Sequence, residues 1–366
     1  MTKPRTLIIL TPGFPTSETD TNCLPAQQSL VRCFNTCFPE LRLLILSFQY
    51  PHTTLPYQWN GNTVIPLGGN NRGGVHRRLL WCKAWIRLSA LIKKENCIGL
   101  LSFWLGECAL AGHYINRFYK IPHISWLLGQ DAKTDNRFAQ KIISGKTVLA
   151  AISEHTAALF LRNYGTGPAH IIPNGIEAAL FSENHHLRDI DIIGAGSLIP
   201  LKRYDLFIEI IHQLHQHIPG LKVLLCGQGP EETSLKKLIR QYQLDTVITL
   251  TGEIDHTQML SLMQRSRMLL HTSSFEGFSG ACLEALYAGA HVFSFFGAQQ
   301  KPIAHWHIVP DEVNMPKEIL AFLHSSETDH APVMAYSMLD SAVQFMELFG
   351  QERQTDPVQP VSYRIQ

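Results

Sequence analysis

MLLHTSSFEGFSGACLEALYAGA, residues 268–290, decides the reading of this chain. It opens on an apolar run, Met268–Leu270, with the character of a buried strand. A loop of small residues follows, carrying the acid Glu276 between Phe275 and Gly277. Ala281–Ala288 then reads as a helix beginning around Ser279-Gly280-Ala281, with a second acid at Glu284. The start of a helix presents free N–H groups and the positive end of a dipole, a ready place for phosphate. Gly277 and Gly280 let backbone approach a ligand closely. Glu276 lies before the helix, and Glu284 lies roughly 6 Å further along its axis. A phosphate site between two spaced carboxylates suits a ligand with hydroxyls on both sides, which is the chemistry of a nucleotide sugar.

The 366 residues favour two domains over one. With 45% hydrophobic and 17% charged residues, the composition is that of a soluble globular protein. A net charge of +1 supplies no general attraction to nucleic acid, so no nucleic-acid partner is expected. The apolar run Leu7–Leu10 is too short for a signal-peptide core or a membrane span. A cytoplasmic protein is expected, with peripheral contact at the inner face of a membrane as its one route to lipid. The eight cysteines form no C-x-x-C pair and read as reduced thiols. Among eighteen histidines, His185 and His186, the trio His212, His215 and His217, and the pair His305 and His307 lack the further ligands of a metal frame and read as solvated. No metal and no other cofactor is expected.

Apolar runs alternate with helical patterns along the whole chain. Strands are expected at 6–10, 43–47, 63–66, 98–102, 123–127, 148–152 and 170–172, with helices at 25–34, 76–95, 107–119, 137–143 and 154–164 between them. The alternation restarts with strands at 191–194, 223–226, 247–250, 268–270 and 291–294 and helices at 204–217, 230–242, 256–265 and 281–288. Two open, mainly parallel sheets in tandem leave a cleft between domains where ligands bind. The division reads as a first domain over 1–183, a second over 184–338, a helix over 339–350 and a polar, proline-bearing tail over 351–366.

EGFSGACLEALYAG, residues 276–289, resembles the E-x(7)-E signature of the retaining glycosyltransferases of family 4, and IPNGIEAALF, residues 172–181, resembles the junction between that family's domains. The resemblance implies an α/β chain of the GT-B fold, two doubly wound Rossmann-like domains facing a central cleft, with the last helix crossing back onto the first domain. It implies that Glu276 binds the donor sugar, that Glu284 binds the ribose, and that Gly277 with the amides of Phe278, Ser279 and Gly280 holds the diphosphate. In GAGSLIPLKRYDLF, residues 194–207, it puts Gly196 in a tight turn and Lys202 on the donor phosphate. Ser197 stands where the family often has an arginine; Arg203 is either a substitute or a solvated residue at a helix start. CGQGPEE (226–232) and TGEI (251–254) read as strand-end loops that bring Gly227, Glu253 and Ile254 to the same sheet edge, and the resemblance implies that the last two face the base.

The first long loop, TPGFPTSETDTNCLPAQQ (11–28), resembles the family's loop near the reacting sugar but lacks its usual Gly-Gly pair. In LLGQDA (127–132), Leu128 stands where many members have a histidine, while Asp131 is either an acceptor base or a cap for the following segment. Glu276, Lys202 and Asp131 are thus the candidate catalytic residues. The implied reaction moves a hexosyl group, with retention and without a metal, from a UDP- or GDP-linked donor to a glycan or lipid-linked acceptor, in bacterial surface polysaccharide synthesis. The alternative is a catalytically degenerate GT-B protein that binds a nucleotide sugar or acts as a scaffold, suggested by Ser197 and Leu128. The basic, aromatic helix over 76–95 has two readings. It lies on an anionic membrane, or it packs Leu79, Leu80, Ile86, Leu88 and Leu91 against the sheet with its cations in water.

Overall fold

The computed structural model describes residues 3–183, 187–297, 301–325 and 328–351. His185, His186 and the tail beyond Gln351 lie outside them. The first sheet comprises β1 (Arg5–Gly13), β2 (Arg42–Tyr50), β3 (Tyr57–Trp59), β4 (Asn62–Pro66), β5 (Asn96–Phe103), β6 (His123–Leu127), β7 (Val148–Ala151) and β8 (His170–Ile171). Their spatial order is β3-β4-β2-β1-β5-β6-β7-β8. The second sheet comprises β9 (Ile190–Ala195), β10 (Val223–Cys226), β11 (Ile248–Gly252), β12 (Ser266–His271), β13 (His291–Ser294) and β14 (Trp306–Ile308), ordered β11-β10-β9-β12-β13-β14. Neighbours pair in parallel except β3 with β4, which run antiparallel.

Strands covered on both faces must be apolar at every position, and period two then sorts the side chains between two cores. Leu7 and Ile9 of β1 face one core while Ile8 and Leu10 face the other. Ile192 and Ile193 of β9 divide in the same way. The last helix, Met338–Leu348, sends Met338, Ala342, Phe345 and Met346 into the core of the first sheet. That spacing is one helical face. Phe345 meets Trp126 edge-on at 5.4 Å and Phe34 at 6.5 Å. The two connections between the sheets run side by side: Ile176 N donates to Tyr336 O at 2.8 Å, and Met338 N donates to Ile176 O at 3.0 Å.

Several expectations are corrected. β3, β14 and the helix Met315–His324 have no counterpart in the sequence reading. The two strands are three residues long and exist through pairing with a neighbour, which local pattern cannot show. The helix Gly74–Lys94 buries Leu80, Ala84 and Leu88, whereas Leu79 and Ile86, expected in the core, are 61% and 65% exposed. His305 and His307 are not solvated singly. They stack with His291 at ring distances of 4.3 and 5.3 Å, because β14 lies directly beside β13. All eight cysteines are free.

Candidate active site

In each sheet the chain works outward from one central strand and then crosses to the other side. The crossing falls between β1 and β5 in the first sheet and between β9 and β12 in the second. Loops on either side of such a point diverge and leave a crevice at the carboxyl ends of the strands. Strand order therefore dictates the layout of the site. The loops after β11, β10, β9 and β12 bring up, in sequence across the edge, Glu253 and Ile254, then Gly227, then Gly196 and Lys202, then Glu276.

Lys202 and Glu276 face each other across the switch point and form an ion pair with both side chains mostly buried. Lys202 closes a short 3-10 turn, Pro200–Lys202, and Glu276 lies in the loop after β12. Ser273 Oγ donates to Glu276 Oε1 at 3.1 Å, and His271 Nε2 lies 3.5 Å from the same oxygen. Lys202 also reaches Oε1, which leaves Oε2 as the oxygen that can meet a ligand hydroxyl. Burial pushes the Glu276 carboxyl up, but His271 and the Lys202 charge outweigh it and hold it at about 2. Burial keeps His271 itself below the usual imidazole value.

The helix after this loop is Gly280–Tyr287, and Ser279 caps it by accepting from Cys282 N at 3.4 Å. Phe278 packs its ring against Tyr336 at 5.4 Å and parallel to Trp306 at 6.5 Å. On the inner face of the helix Glu284 Oε1 lies 2.8 Å from His256 Nε2. Gly196 and Gly227 adopt φ of +139° and +143°, and a Cβ on Gly227 would stand 2.0 Å from Gly196 O. Only glycine permits this contact. Both line a cavity of about 200 Å³ with Ser197, Gln228, Glu253, Ile254 and His256.

The first domain supplies the opposite wall. A second cavity, about 310 Å³, lies between Trp104, Leu128, Gly129 and Gln130 at the ends of β5 and β6 and the loop Phe275–Phe278. The domains touch around it. Ser153 Oγ donates to Gly277 O at 2.6 Å, Asn22 Nδ2 donates to Ile254 O at 3.1 Å and to Glu253 Oε1 at 3.3 Å, and His256 N donates to Thr21 Oγ1 at 3.2 Å. Asn174, from the junction, is buried beside Gly280, and its Oδ1 has no hydrogen-bond partner among the described residues.

Two candidate residues stand apart from this centre. Arg203 occupies a left-handed position, φ 50°, and its guanidinium pairs with Glu312 at 2.6 Å on the exposed side. Asp131 is buried, and its Oδ2 accepts from Leu128 N at 2.9 Å, bracing the 3-10 turn Gly129–Ala132. Of its two readings the geometry matches the cap: the side chain holds the turn that presents Gly129 and Gln130 to the cavity. Leu128 packs into the first domain's core. Sequence reasoning missed His256, His271, Ser153, Asn22 and Gly129. His271 lies within the stretch 268–290 and His256 just after TGEI, both at strand ends where a signal was available; Ser153 and Asn22 are joined to their partners only by the docking of two domains.

Two Rossmann-like domains facing a cleft, with the final helix returned to the first, define the GT-B fold. Residues 176–297 match the family model described as Glycosyl transferases group 1. The chain is 30% identical over 126 residues to a subunit of the phosphatidylinositol N-acetylglucosaminyltransferase of Homo sapiens, covering 34% of this chain and 26% of that protein. It thus spans about a quarter of that relative's length. Sucrose-phosphate synthase from Thermosynechococcus elongatus superposes with a TM-score of 0.71 at 17% identity, over 95% of this chain and 99% of that one. The Anabaena protein HepE, solved with UDP and glucose, superposes with a TM-score of 0.64 at 16% identity, over 95% and 97%.

Proposed function

We propose that this chain is a retaining glycosyltransferase of family 4 that moves a hexosyl group from a nucleoside diphosphate sugar to a glycan or lipid-linked acceptor, in the setting of bacterial surface polysaccharide. The observation that carries the reading is the Lys202–Glu276 pair at the switch point, with Glu276 lining the cavity beside a capped helix start. In this reading the diphosphate lies between Lys202 and the amides of Phe278, Ser279 and Gly280. Glu276 Oε2 takes sugar hydroxyls, Glu284 takes the ribose, and the base rests in the cavity with Glu253 and Ile254. Uracil is favoured over guanine because HepE, with a similar fold, was solved with UDP.

The acceptor oxygen attacks the anomeric carbon on the face from which the diphosphate departs. The carbon–phosphate-oxygen bond breaks, and the acceptor proton passes to a leaving phosphate oxygen. Lys202 and the helix start stabilise the charge that develops there, without a metal. Contact between the domains excludes water that would hydrolyse the donor. A thermal-shift series with UDP, GDP and ADP, followed by transfer assays with the matching sugar donors, tests this. A selective rise in melting temperature with UDP is expected, since a ligand that binds only the folded state stabilises it. No response to any nucleoside diphosphate would remove the reading; binding without turnover of any donor would favour a degenerate binding protein.

A further inference from the structure

The helix Gly74–Lys94 carries two apolar stripes on opposite faces. Leu80, Ala84 and Leu88 are buried against the first sheet. Val75, Leu79, Cys82 and Ile86 follow a 4-3-4 spacing, which keeps them within about 60° of arc and roughly opposite the buried stripe. Val75, Leu79 and Ile86 are 68%, 61% and 65% exposed. This outer stripe is about 16 Å long at the helical rise. Phe118 of the next helix, Glu107–Tyr119, is 74% exposed and meets Trp85 edge-on at 5.5 Å, widening the apolar surface.

Charge around the stripe has one sign. Residues 74–94 contain six cations and no acid. Arg77 is taken up by Glu107 at 2.7 Å and Lys83 by Leu67 O at 2.7 Å. Arg78, Arg87, Lys93 and Lys94 are exposed, with no side-chain ion pair among the described residues. Arg117 and Lys120, exposed next to Phe118, extend the basic rim.

We propose that this face is the docking surface for an anionic lipid bilayer, with the helix lying in the interface plane. Apolar side chains that enter the acyl boundary while flanking lysines and arginines meet anionic headgroups describe an interfacial helix. A second copy of the chain fits poorly, because the unpaired charges flanking the stripe are all basic and a two-fold pairing through it would set cations such as Arg78 and Arg87 against one another. No helix among the described residues is long and apolar enough to cross a membrane, so attachment would be to the surface. The first turn of the helix is tied toward the cleft: Arg77 pairs with Glu107, three residues beyond Trp104, which lines the cavity of about 310 Å³. A bilayer here would place amphiphilic molecules beside the cleft mouth.

The test is co-sedimentation of the whole chain with vesicles of phosphatidylcholine alone or mixed with phosphatidylglycerol. Binding to the anionic vesicles only, released by raising salt from about 0.1 to about 0.5 M, is expected. Leu79→Ser with Ile86→Ser should lower the partition about ten-fold, and Arg78→Gln with Arg87→Gln several-fold. Circular dichroism serves as the folding control, and these positions are exposed. Equal binding to both vesicles, or binding to neither, overturns the proposal. So does a dimer in ultracentrifugation that the serine pair dissolves, which would assign the stripe to a second copy. Vesicle binding needs no sugar donor, so it stands or falls separately from the transferase reading.

Discussion

Gly129 and Gly277 meet backbone to backbone across the cleft: a Cβ on Gly129 would stand 2.5 Å from Gly277 Cα, and one on Gly277 would stand 2.2 Å from Gly129 Cα. Two strand-end loops from different domains are thereby in contact beside Glu276, with Ser153 Oγ fastening the Gly277 carbonyl. A methyl group at either position has nowhere to go but to part the domains. Gly129→Ala should therefore fold normally yet hold the cleft open. The expected results are a larger radius of gyration in solution scattering and a transfer rate lower by on the order of 100-fold, the usual cost of misplacing a reacting pair by about 1 Å. An unchanged rate would show that this contact is not part of the working state.

Lys202 and Glu276 should separate in their effects. Lys202→Ala removes charge from the diphosphate and should weaken UDP and donor alike. Glu276→Gln should leave UDP affinity nearly intact and reduce turnover sharply, because an amide cannot match a carboxylate's charge-assisted bonds. Calorimetry and initial rates on both variants check this. Stability carries a second signature. The folded value of Glu276 is about 2 against an ordinary 4.5, so the unfolded chain takes up the proton first as pH falls. The pair's contribution is complete above about pH 4.5 and fades toward about pH 2. The urea midpoints of wild type and Glu276→Gln should converge as pH drops through that window.

Asp131 should show the opposite slope. Burial raises its carboxyl from 3.8 to about 7, against hydrogen bonds from the Leu105 and Leu128 backbone that lower it. Between those values the folded chain holds a proton that the unfolded chain has released, so stability falls as pH rises. Asp131→Asn keeps an acceptor for Leu128 N and cannot ionise. Its melting temperature relative to wild type should climb from about pH 4 to about pH 8. A constant difference would mean that the carboxylate is held ionised.

Glu284→Ala should weaken UDP binding by about 1.5–3 kcal/mol, the usual worth of hydrogen bonds to a charged group. His256→Ala, which removes the partner 2.8 Å from Glu284 and one wall of the base cavity but leaves the carboxylate, should cost less. Isothermal titration of UDP into each variant decides whether Glu284 belongs to the nucleotide site.

Turnover should survive EDTA. Among the described residues no group of three or more His, Cys, Asp or Glu is arranged to hold a metal ion, and Lys202 with the helix start can carry the leaving charge. Loss of activity on chelation, restored by magnesium or manganese, would overturn the metal-independent scheme.

Much of the scaffold was legible locally, since an apolar run bounded by turn residues and a helical period are properties of neighbouring residues. The strand–loop–helix around Glu276 and Glu284 is such a case. The helix Gly74–Lys94 shows where that legibility ends. It has enough apolar residues for two stripes, and nothing in their order says which meets the sheet. β3 and β14 exist through partners and not through propensity.

The chain's own order of residues determined the alternation of strands and helices, the glycines at the turns and the identity of the acids and lysine, because each depends on contacts along a few successive residues. Only the tertiary structure decided that Lys202 and Glu276 touch, that Asp131 braces a turn, that Arg203 turns outward to Glu312 and that Gly129 abuts Gly277. Those relations join residues brought together by strand order and domain docking, and packing between distant segments is not written in the local pattern of either one.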